Sequence, residues 1–435
     1  MIQHILKIIW NERRINAWLL LEYVVVFCIL WFCCDFLYYI INRKVEPTGF
    51  NTEHVYLIKM GIKKAESLAN TFTQLGETEK KQDKLTIAMT AMDRIKRYPA
   101  VEEASFSKFS IPHINWYSSA GYVANSDSVN RTLRRKAVTP DFFKVFKMNM
   151  AHGRVFDWED ALIKKQVIIT PDDKDKFGPY PASEVKTVRM GFLEGDLPME
   201  VVGVLEKLKN SDYDPYTNIV FIPLPKEELD LRYVEIAVRV HPEADKNFKE
   251  NFARDMEEQL NIGGYYLSSV VSFNDLRQIG IEGSGLTNDL NGIFSITAFI
   301  IINIFFGIIG TFWFRTQSRR SEIGLRIALG ASKQKVSNTI MAETVLLLFV
   351  SSVIAVVICA NVATSDLLES LGIPQAMDLY KEANYNRPIE EPGGSQYIIN
   401  YILTFLFLAI ISLAAVLYPA RQASNIPPAD ALREE

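Results

Sequence analysis

The sequence predicts an α-helical membrane protein with four transmembrane helices plus an α+β extracytoplasmic domain inserted between helices 1 and 2. The first observation is four apolar windows, each long enough to cross about 30 Å of hydrocarbon at about 1.5 Å per residue. The second is the long stretch between the first two windows, in which short β-rich runs alternate with amphipathic helical patterns. The windows are residues 17–41, 290–314, 339–363 and 397–418.

The first apolar window has two other interpretations. A buried core helix is an alternative for any of the windows, although apolar runs of this length with almost no charge are rare in soluble cores. The first window also carries Glu22 and Asp35 near its ends and could be a signal peptide. Sixteen residues precede it, and no small-x-small cleavage site follows Tyr38. We therefore interpret it as an uncleaved membrane anchor.

The positive charges of the short segments predict the orientation in the membrane. Residues 315–337 carry six Lys or Arg side chains against one acid, whereas residues 364–396 carry two against six acids. The basic side is expected to be cytoplasmic. The predicted order is a cytoplasmic amphipathic segment 1–16, helix 17–41, a periplasmic domain 42–289, helix 290–314, a cytoplasmic coupling elbow 315–338, helix 339–363, a short periplasmic connection 364–396, helix 397–418 and a cytoplasmic tail 419–435.

The domain 42–289 contains no cysteine, so its own apolar core must stabilise it. All four cysteines of the chain fall within the apolar windows. We expect them to act as small packing residues rather than as reactive or metal-binding thiols. They are Cys28, Cys33, Cys34 and Cys359.

Within this domain, 3.6-residue periodicity predicts amphipathic helices at 78–97 and 243–260, and β-rich runs predict strands. Strand–helix–strand units of this kind suit a ferredoxin-like subdomain, with the strand-rich stretch 105–230 as a second one. The expected buried faces are Leu85, Met89, Met92 and Ile95 in the first helix, and Phe248, Phe252, Met256 and Leu260 in the second. The strands are expected within 50–72, after Pro99, and at 166–170, 188–193, 199–205, 218–224, 233–240 and 265–273.

Sequence motifs for catalysis and cofactor binding are absent. The five histidines are scattered, and none has metal-ligand spacing with a second His or Cys. The dipeptide Gly-Lys does not occur, which excludes a Walker A loop, and there is no Gly-x-Ser-x-Gly elbow. No basic stripe with interleaved aromatic residues points to nucleic acid. We therefore expect a non-enzymatic chain with no catalytic residue, no metal and no cofactor of its own.

The stretch "RRSEIGLRIALGASKQKV", residues 319–336, is the most informative. No helix breaker follows Gly310, so the second membrane helix is expected to continue through Arg326. Gly330 fits the left-handed residue that ends a helix, and Ser332 fits the N-cap of the next one. Positive groups near a helix start are unfavourable for the helix dipole, so these suit lipid phosphates or an acidic partner. The alternative is that they serve only as topology charges.

This stretch resembles the signature of MacB/FtsX-type permeases of ABC transporters, E-I-G-(apolar)-R-x-A-(apolar)-G-A-(S/T). The tail 418–435 resembles the closing motif of the family, and 138–156 and 201–205 resemble its external domain. The chain departs from those members that fuse an ATPase to the permease. The matching residues are Glu322, Ile323, Gly324, Leu325, Arg326, Ala328, Leu329, Gly330, Ala331 and Ser332.

The resemblance implies a dimer of permease chains in a bacterial inner membrane, paired with two separate cytoplasmic ATPase subunits. ATP and Mg²⁺ would be bound by those subunits, and their closure would pass through the elbow and the membrane helices to the periplasmic domains. This mechanism is mechanotransmission. Membrane lipids are further expected partners, nucleic acid is not, and a periplasmic or outer-membrane partner stays open. The implied coupling residues are Arg319, Arg320, Glu322, Gly324, Arg326, Gly330, Ser332, Lys333 and Lys335.

Small residues in the second membrane helix predict close helix packing, which we assign to the dimer. These are Gly307 and Gly310, with Asn303 nearby. The other polar residues inside the apolar windows are few, and they suit joining helices as well as contacting a substrate. They are Ser351, Ser352, Thr404 and Ser412.

Three functions stay open at this point. The leading one is a permease for export or extraction of a peptide, lipid-linked or drug-like substrate, because a large first external domain followed by three spans favours the exporter type. The second is an ATPase-driven regulator of cell-wall hydrolases or envelope signalling. The third is a membrane-anchored sensor without transport, which co-purification of an ATPase would distinguish from the other two.

Overall fold

The structure is a computed structural model that describes residues 13–63, 77–114, 118–125, 131–190, 198–283, 285–363, 394–425 and 427. Most of the predicted segments 1–16 and 364–396, and the end of the tail, lie outside these residues. The helices are α1 Arg13–Val45, α2 Glu77–Lys96, α3 Asp141–Val145, α4 Trp158–Lys164, α5 Phe248–Met256, α6 Phe273–Gly283, α7 Leu286–Ser318, α8 Arg320–Ala328, α9 Lys333–Ala363 and α10 Gly394–Ser424. The strands are β1 Val55–Ile62, β2 Val101–Lys108, β3 Ser118–Ala124, β4 Arg131–Val138, β5 Met150–Gly153, β6 Gln166–Thr170, β7 Lys176–Phe177, β8 Tyr180–Pro181, β9 Thr187–Met190, β10 Met199–Leu205, β11 Ile219–Pro223, β12 Glu235–Val240 and β13 Tyr265–Ser272.

In the described part of the chain, four helices are long and apolar enough to cross a membrane. They lie within α1, α7, α9 and α10 and belong to one compact unit, while residues 42–287 form most of the other. The predicted fold class is confirmed, since a large sheet domain separates the first of these helices from the second. The four stretches are Ala17–Val45, Leu290–Ser318, Lys333–Val362 and Ile398–Ser424.

The membrane helices bury large side chains against one another. Tyr23 and Phe27 of α1 and Ile308 of α7 are almost completely buried, whereas Phe299 and Ile410 are exposed on outer faces. Phe27 and Ile308 are no more apolar than Phe299 and Ile410, so packing between helices rather than hydrophobicity decides which residues are buried. The four cysteines are free thiols on these helices, and two of them, Cys33 and Cys359, are buried.

The domain 42–287 is built on one large sheet, and four of its strands form a ferredoxin-like half. Their order is β2–β12–β1–β13, and all neighbours are antiparallel. α2 connects β1 to β2, and α5 connects β12 to β13. Two strand–helix–strand units interleaved in this way are the ferredoxin-like arrangement. The predicted ferredoxin-like subdomain is therefore confirmed.

The inserted half lies between β2 and β12 in the chain and contains β3 to β11. It is a mixed structure, because β4 pairs with β11 and β6 with β10 in parallel, while its other pairs are antiparallel. The sheet continues from one half to the other where Ser107 and Lys108 of β2 pair with Val138 and Ala137 of β4. This half corresponds to the predicted second subdomain 105–230.

Strand β1 lies between two cores, so its consecutive residues point to different apolar clusters. Tyr56 and Ile58 pack with α2 and α5. Val55 and Leu57 pack with aromatic side chains of α3 and with Phe146, which follows that helix. A strand that is covered on both faces reads as a continuous apolar run rather than as an alternating one. This explains the sequence of the strand, Val-Tyr-Leu-Ile.

Of the two predicted buried helical faces, that of α5 is confirmed and that of α2 is partly wrong. The face of α5 is buried as predicted, together with Leu260 just beyond it. In α2 the prediction of Met89 on the buried face is wrong, because its side chain is 42% exposed. Ala88 and Ala91 are fully buried instead. The helix approaches the sheet through small residues, which a pattern of large apolar side chains does not reveal.

Several predicted boundaries shift by a few residues. The strands 166–170 and 199–205 coincide with β6 and β10, but the helix predicted at 243–260 begins with a 3₁₀ turn at Pro242–Asn247 before α5. The strand predicted from 233 starts at Glu235, because the N–H of Val234 donates to Asp230 in a turn. The second part of the predicted strand 188–193 lies outside the described residues.

Candidate functional site: the basic elbow

The basic elbow, residues 315–338, contains the short helix α8 and two cap motifs. Gly330 has φ +96°, and the N–H groups of Gly330 and Ala331 donate to the carbonyls of Ile327 and Arg326, both at 3.0 Å. This pair of bonds is a Schellman motif, in which a left-handed glycine ends the helix. The Oγ of Ser332 then accepts from the N–H of Lys335 at 3.3 Å and caps α9. The predicted helix stop and N-cap are confirmed.

The second membrane helix is predicted to continue unbroken through Arg326, and this is wrong at one residue, Arg319. α7 ends at Ser318, Arg319 leaves the helical conformation with φ −106° and ψ 18°, and α8 begins at Arg320. Backbone bonds continue across the break, since the N–H of Ile323 still donates to Arg319 at 3.0 Å. The break coincides with the ion pairs that the Arg319 side chain makes with Glu322 of α8 and Glu343 of α9.

A buried carboxylate in α9 holds the elbow from inside. Nη1 of Arg319 lies 3.0 Å from Oε2 of Glu343, and Nη2 of Arg315 lies 3.6 Å from the same atom. The Glu343 side chain is only 2% exposed. A buried charge is tolerated when it is paired, and removing one partner leaves a strongly unfavourable charge. The end of α7 and the start of the elbow are therefore tied to α9.

A second set of ion pairs lies on the surface of the elbow. Glu322 contacts Arg319 at 3.2 Å and Arg326 at 2.5 Å. Burial alone would raise the pKa of Glu322, but the two guanidinium groups lower it below its usual value. Both pairs have the three- or four-residue spacing that favours helical neighbours. Three of the predicted coupling residues are thus paired with one another within the chain.

The remaining predicted coupling residues lie in different environments. Gly324 is buried and Arg320 is half-buried. The Nζ of Lys333 donates to Oδ1 of Asn425 beyond α10 at 3.1 Å, whereas the Lys335 side chain is exposed. The predicted basic set is therefore not one continuous cationic surface.

The apolar residues of the elbow divide into an inner and an outer face. Ile323 is buried, and Ile327 packs against the same helix cluster. Leu325 and Leu329, two residues further along in each case, are 51% and 80% exposed. We call Leu325, Ala328 and Leu329 the apolar tip; all three are exposed. Neighbouring apolar side chains exposed as a patch, unlike single ones, mark candidate interaction sites.

The residues predicted to pack at a dimer interface behave differently within one chain. A Cβ at Gly307 would collide with Oε1 of Glu22 on α1, so this glycine permits close packing inside the chain. A Cβ at Gly310 would meet nothing within 4 Å. Asn303 is exposed and donates to the Phe299 carbonyl of its own helix at 2.7 Å. Their role between chains stays a prediction.

Two polar contacts between membrane helices were not predicted from the sequence. One is the pairing of Glu343 with the elbow, although a single carboxylate next to a basic segment is a usable signal. The other joins Asp35 of α1 to the side-chain amide of Asn400 on α10. Ser351, Ser352 and Thr404, by contrast, donate to carbonyls of their own helices at 2.8 Å. Among the described residues, no group of three His, Cys, Asp or Glu side chains could hold a metal ion.

Two family models match the chain in tandem. The MacB-like periplasmic core domain matches residues 58–253, and the FtsX-like permease C-terminal domain matches residues 294–428. The first match covers most of the sheet domain, and the second contains the basic elbow. The chain belongs to the MacB/FtsX-type permeases. It is a multi-pass membrane protein with an extracytoplasmic domain.

Individual relatives of this permease are distant in sequence. The macrolide export ATP-binding/permease protein MacB of Agrobacterium fabrum is 24% identical over 310 residues, which cover 68% of this chain and 43% of that protein. MacB of Shewanella oneidensis is 26% identical over 334 residues, covering 71% and 46%. The crystal structure of the periplasmic region of MacB from Actinobacillus actinomycetemcomitans is 11% identical, with 54% and 96% covered and a TM-score of 0.33. The chain spans less than half the length of both full-length relatives.

Proposed function

We propose that this permease is the membrane subunit of an ABC transporter, and that a separate ATPase subunit docks on the basic elbow. The observation that carries the proposal is the apolar tip of α8, exposed on a helix whose charges are largely paired within the chain. The docking surface is then the apolar tip rather than a purely cationic surface.

The elbow has the mechanical connections that a coupling element requires. α8 follows α7 after one non-helical residue, and four residues separate it from α9. Glu343 fixes Arg315 and Arg319, and Ile323 packs against the membrane helices. A force on the apolar tip would therefore be passed to two membrane helices, because no flexible linker intervenes.

The transported substrate is proposed to be a peptide, lipid-linked or drug-like molecule that is exported or extracted. The hydroxyl groups of Ser351, Ser352 and Thr404 bond within their own helices, which argues for movement of the external domain rather than for a polar pore. In this mechanism the chain itself catalyses nothing. The partner ATPase binds ATP and Mg²⁺, and two permease chains assemble in the bacterial inner membrane.

Leu329→Glu tests the docking site, and Ile163→Glu is its matched control. Both side chains are 80% exposed, but Ile163 lies at the end of α4 in the external domain. Arg319 is a poorer choice, because its reversal would break the pair with Glu343. The measurement is recovery of an ATPase with the permease from detergent-solubilised membranes, together with ATP turnover.

We expect Leu329→Glu to reduce ATPase recovery at least about tenfold, since burying a leucine contributes about 1.5–3 kcal/mol. Ile163→Glu should match the wild type. Normal recovery with Leu329→Glu would contradict docking on the apolar tip. Absence of any ATPase with the wild-type chain would instead favour a sensor without transport.

A further inference from the structure

Both chain connections between the membrane helices and the domain 42–287 contact the same loop. This junction loop, Lys207–Asp214, is part of the connection between β10 and β11 in the inserted half. The first connection is residues 43–50, which follow the membrane-spanning part of α1. The second is α6, which leads through residues 284 and 285 into α7. The inserted half is distant from both connections in sequence, so these contacts depend on folding.

Lys209 binds the first connection. Its side chain is fully buried, and its Nζ donates to the Arg43 carbonyl at 2.5 Å and lies 3.0 Å from Oε2 of Glu46. Burial lowers the pKa of Lys209, and the Glu46 carboxylate opposes that shift. The backbone N–H of Lys209 also donates to Thr48 at 3.0 Å. A Cβ at Gly49 would collide with the Lys207 carbonyl, so the two segments are in close contact.

Asp212 and Asn210 bind the second connection. The Asp212 carboxylate accepts from Nε of Arg277 on α6. The carbonyl of Asn210 accepts from the N–H of His113 at 2.8 Å, and a Cβ at Gly280 of α6 would collide with the His113 carbonyl. The loop therefore contacts α6 directly through one ion pair and indirectly through the backbone of residue 113.

The junction loop is also anchored in its own half. Nζ of Lys136 on β4, which is completely buried, donates to Oδ1 of Asn210 at 3.0 Å. Nη1 of Arg134 on the same strand lies 3.4 Å from Oδ2 of Asp214. Buried hydrogen-bonded charges hold one geometry tightly, because leaving either partner unpaired is costly. The loop is thus fixed to β4 on one side and to both connections on the other.

We propose that Lys209 is a positioning residue that makes the inserted half follow the first two membrane helices. This inference rests on the proposed function, since it names the place where movement of those helices reaches the inserted half. The inserted half also contacts the first connection outside this loop, through the Arg43–Asp173 ion pair at 3.3 Å and the packing of His113 against Phe50. The junction loop adds the buried Lys209 and the contact with α6. Lys209 binds the first connection, which continues α1, and Asp212 binds α6. One loop is therefore in contact with both connections to the membrane helices.

Lys209→Met tests the contact, and Lys207→Met is the matched control on the same loop. The Lys207 side chain is partly exposed, and its Nζ contacts Asp173 and Asp175 rather than either connection; the backbone carbonyl beside Gly49 is unchanged by the substitution. Spin labels at Lys44→Cys and Ile163→Cys, on a full-length chain without its four native cysteines, report the distance between the end of α1 and the inserted half. We expect a broadened distance distribution with Lys209→Met and an unchanged one with Lys207→Met. An unchanged distribution with Lys209→Met overturns the inference.

A second label pair reports function. Labels at Ile163→Cys and Asn361→Cys, in the complex with its ATPase, are compared without nucleotide and with ATP and vanadate. We expect a shift in the wild type and with Lys207→Met, and its loss with Lys209→Met while ATP turnover persists. A retained shift with Lys209→Met, or no shift in the wild type, overturns the inference.

Arg277→Met disturbs the contact with α6 and replaces Lys209→Met if that variant does not fold, because Arg277 is 40% exposed. The same broadening and loss of shift are expected. If no ATPase accompanies the wild-type chain, the proposed function fails, while the first label pair still decides whether the loop holds the connections.

Discussion

The basic elbow and the junction loop both contain buried charges, but their partners come from very different distances along the chain. Arg319 reaches Glu343 24 residues away, in the next membrane helix. Lys209 reaches Arg43 and Glu46, 166 and 163 residues away. The elbow forms from two neighbouring helices and their caps, whereas the junction forms only when the whole domain is folded. Damage to the elbow should therefore stay local, and damage at the junction should affect the domain.

The largest expected effect comes from Glu343→Ala, which removes the buried carboxylate that Arg315 and Arg319 share. Loss of one partner from a buried ion pair typically costs about 3–5 kcal/mol. Because the damage should be local, trypsin should cleave the elbow faster while the external domain keeps its unfolding temperature. Limited digestion and thermal unfolding of the solubilised chain measure both.

Glu322→Ala is the control for that comparison, because it removes an exposed carboxylate from the same arginine. An exposed pair contributes about 0–1 kcal/mol, so cleavage should change little. Equal trypsin sensitivity of the two variants would show that the buried carboxylate has no special role.

A pH effect at the junction should be the next largest. Burial lowers the pKa of His113 to about 4, although Asp212 opposes the shift. Between pH 6.5 and 4 the unfolded chain therefore binds a proton that the folded domain does not, so stability falls as the pH falls through this window. The loss amounts to about 3 kcal/mol, at about 1.4 kcal/mol for each pKa unit.

His113→Asn should remove this pH dependence. Asparagine tolerates the positive φ of residue 113, and exposed His241→Asn serves as the control. Thermal unfolding of the external domain at pH 7 and pH 4.5 measures the effect. A wild-type pH dependence in the His113 variant would contradict the assignment.

Gly330→Val should have a smaller and purely conformational effect on the elbow. A Cβ at this position meets nothing within 4 Å, so the cost is the left-handed backbone, about 1–2 kcal/mol. Gly330→Asn should recover most of it, because asparagine adopts this conformation more readily. Hydrogen exchange of residues 325–335 should increase with valine only.

Gly310→Val tests whether that effect depends on the backbone conformation. A Cβ at Gly310 also meets nothing within 4 Å, but this residue lies within α7. We expect little change in the exchange of residues 325–335. Equal exchange with Gly330→Val and Gly330→Asn would mean that the Schellman motif contributes little to elbow stability.

The same contrast explains how much of the molecule could be predicted from its sequence. Apolar length predicted the membrane helices, and local periodicity predicted β6, β10 and the buried face of α5. Gly330 and Ser332 were predictable because a cap depends on a few neighbouring residues. The family resemblance through the elbow was also local, since it rests on ten residues.

Contacts between distant residues could not be predicted in this way. No pattern near Lys209 indicates that it meets the end of α1. Met89 is exposed and Met92 is buried because of how α2 is rotated against the sheet, which the apolar pattern of the helix does not specify. The pairing of Arg319 with Glu343 reversed the expected role of a basic side chain. As a result, Arg319 faces inward and Arg326 is paired with Glu322, so Leu325 and Leu329 become the candidate contacts.

Site-specific cross-linking from the apolar tip tests the central claim most directly. A thiol cross-linker is placed at Leu329→Cys in a full-length chain without its native cysteines, with Ile163→Cys as the equally exposed control. We predict an adduct between Leu329→Cys and a co-purified ATPase subunit, and none from Ile163→Cys. An ATPase complex that forms no adduct from Leu329→Cys, or that forms it equally from Ile163→Cys, would contradict docking on the elbow.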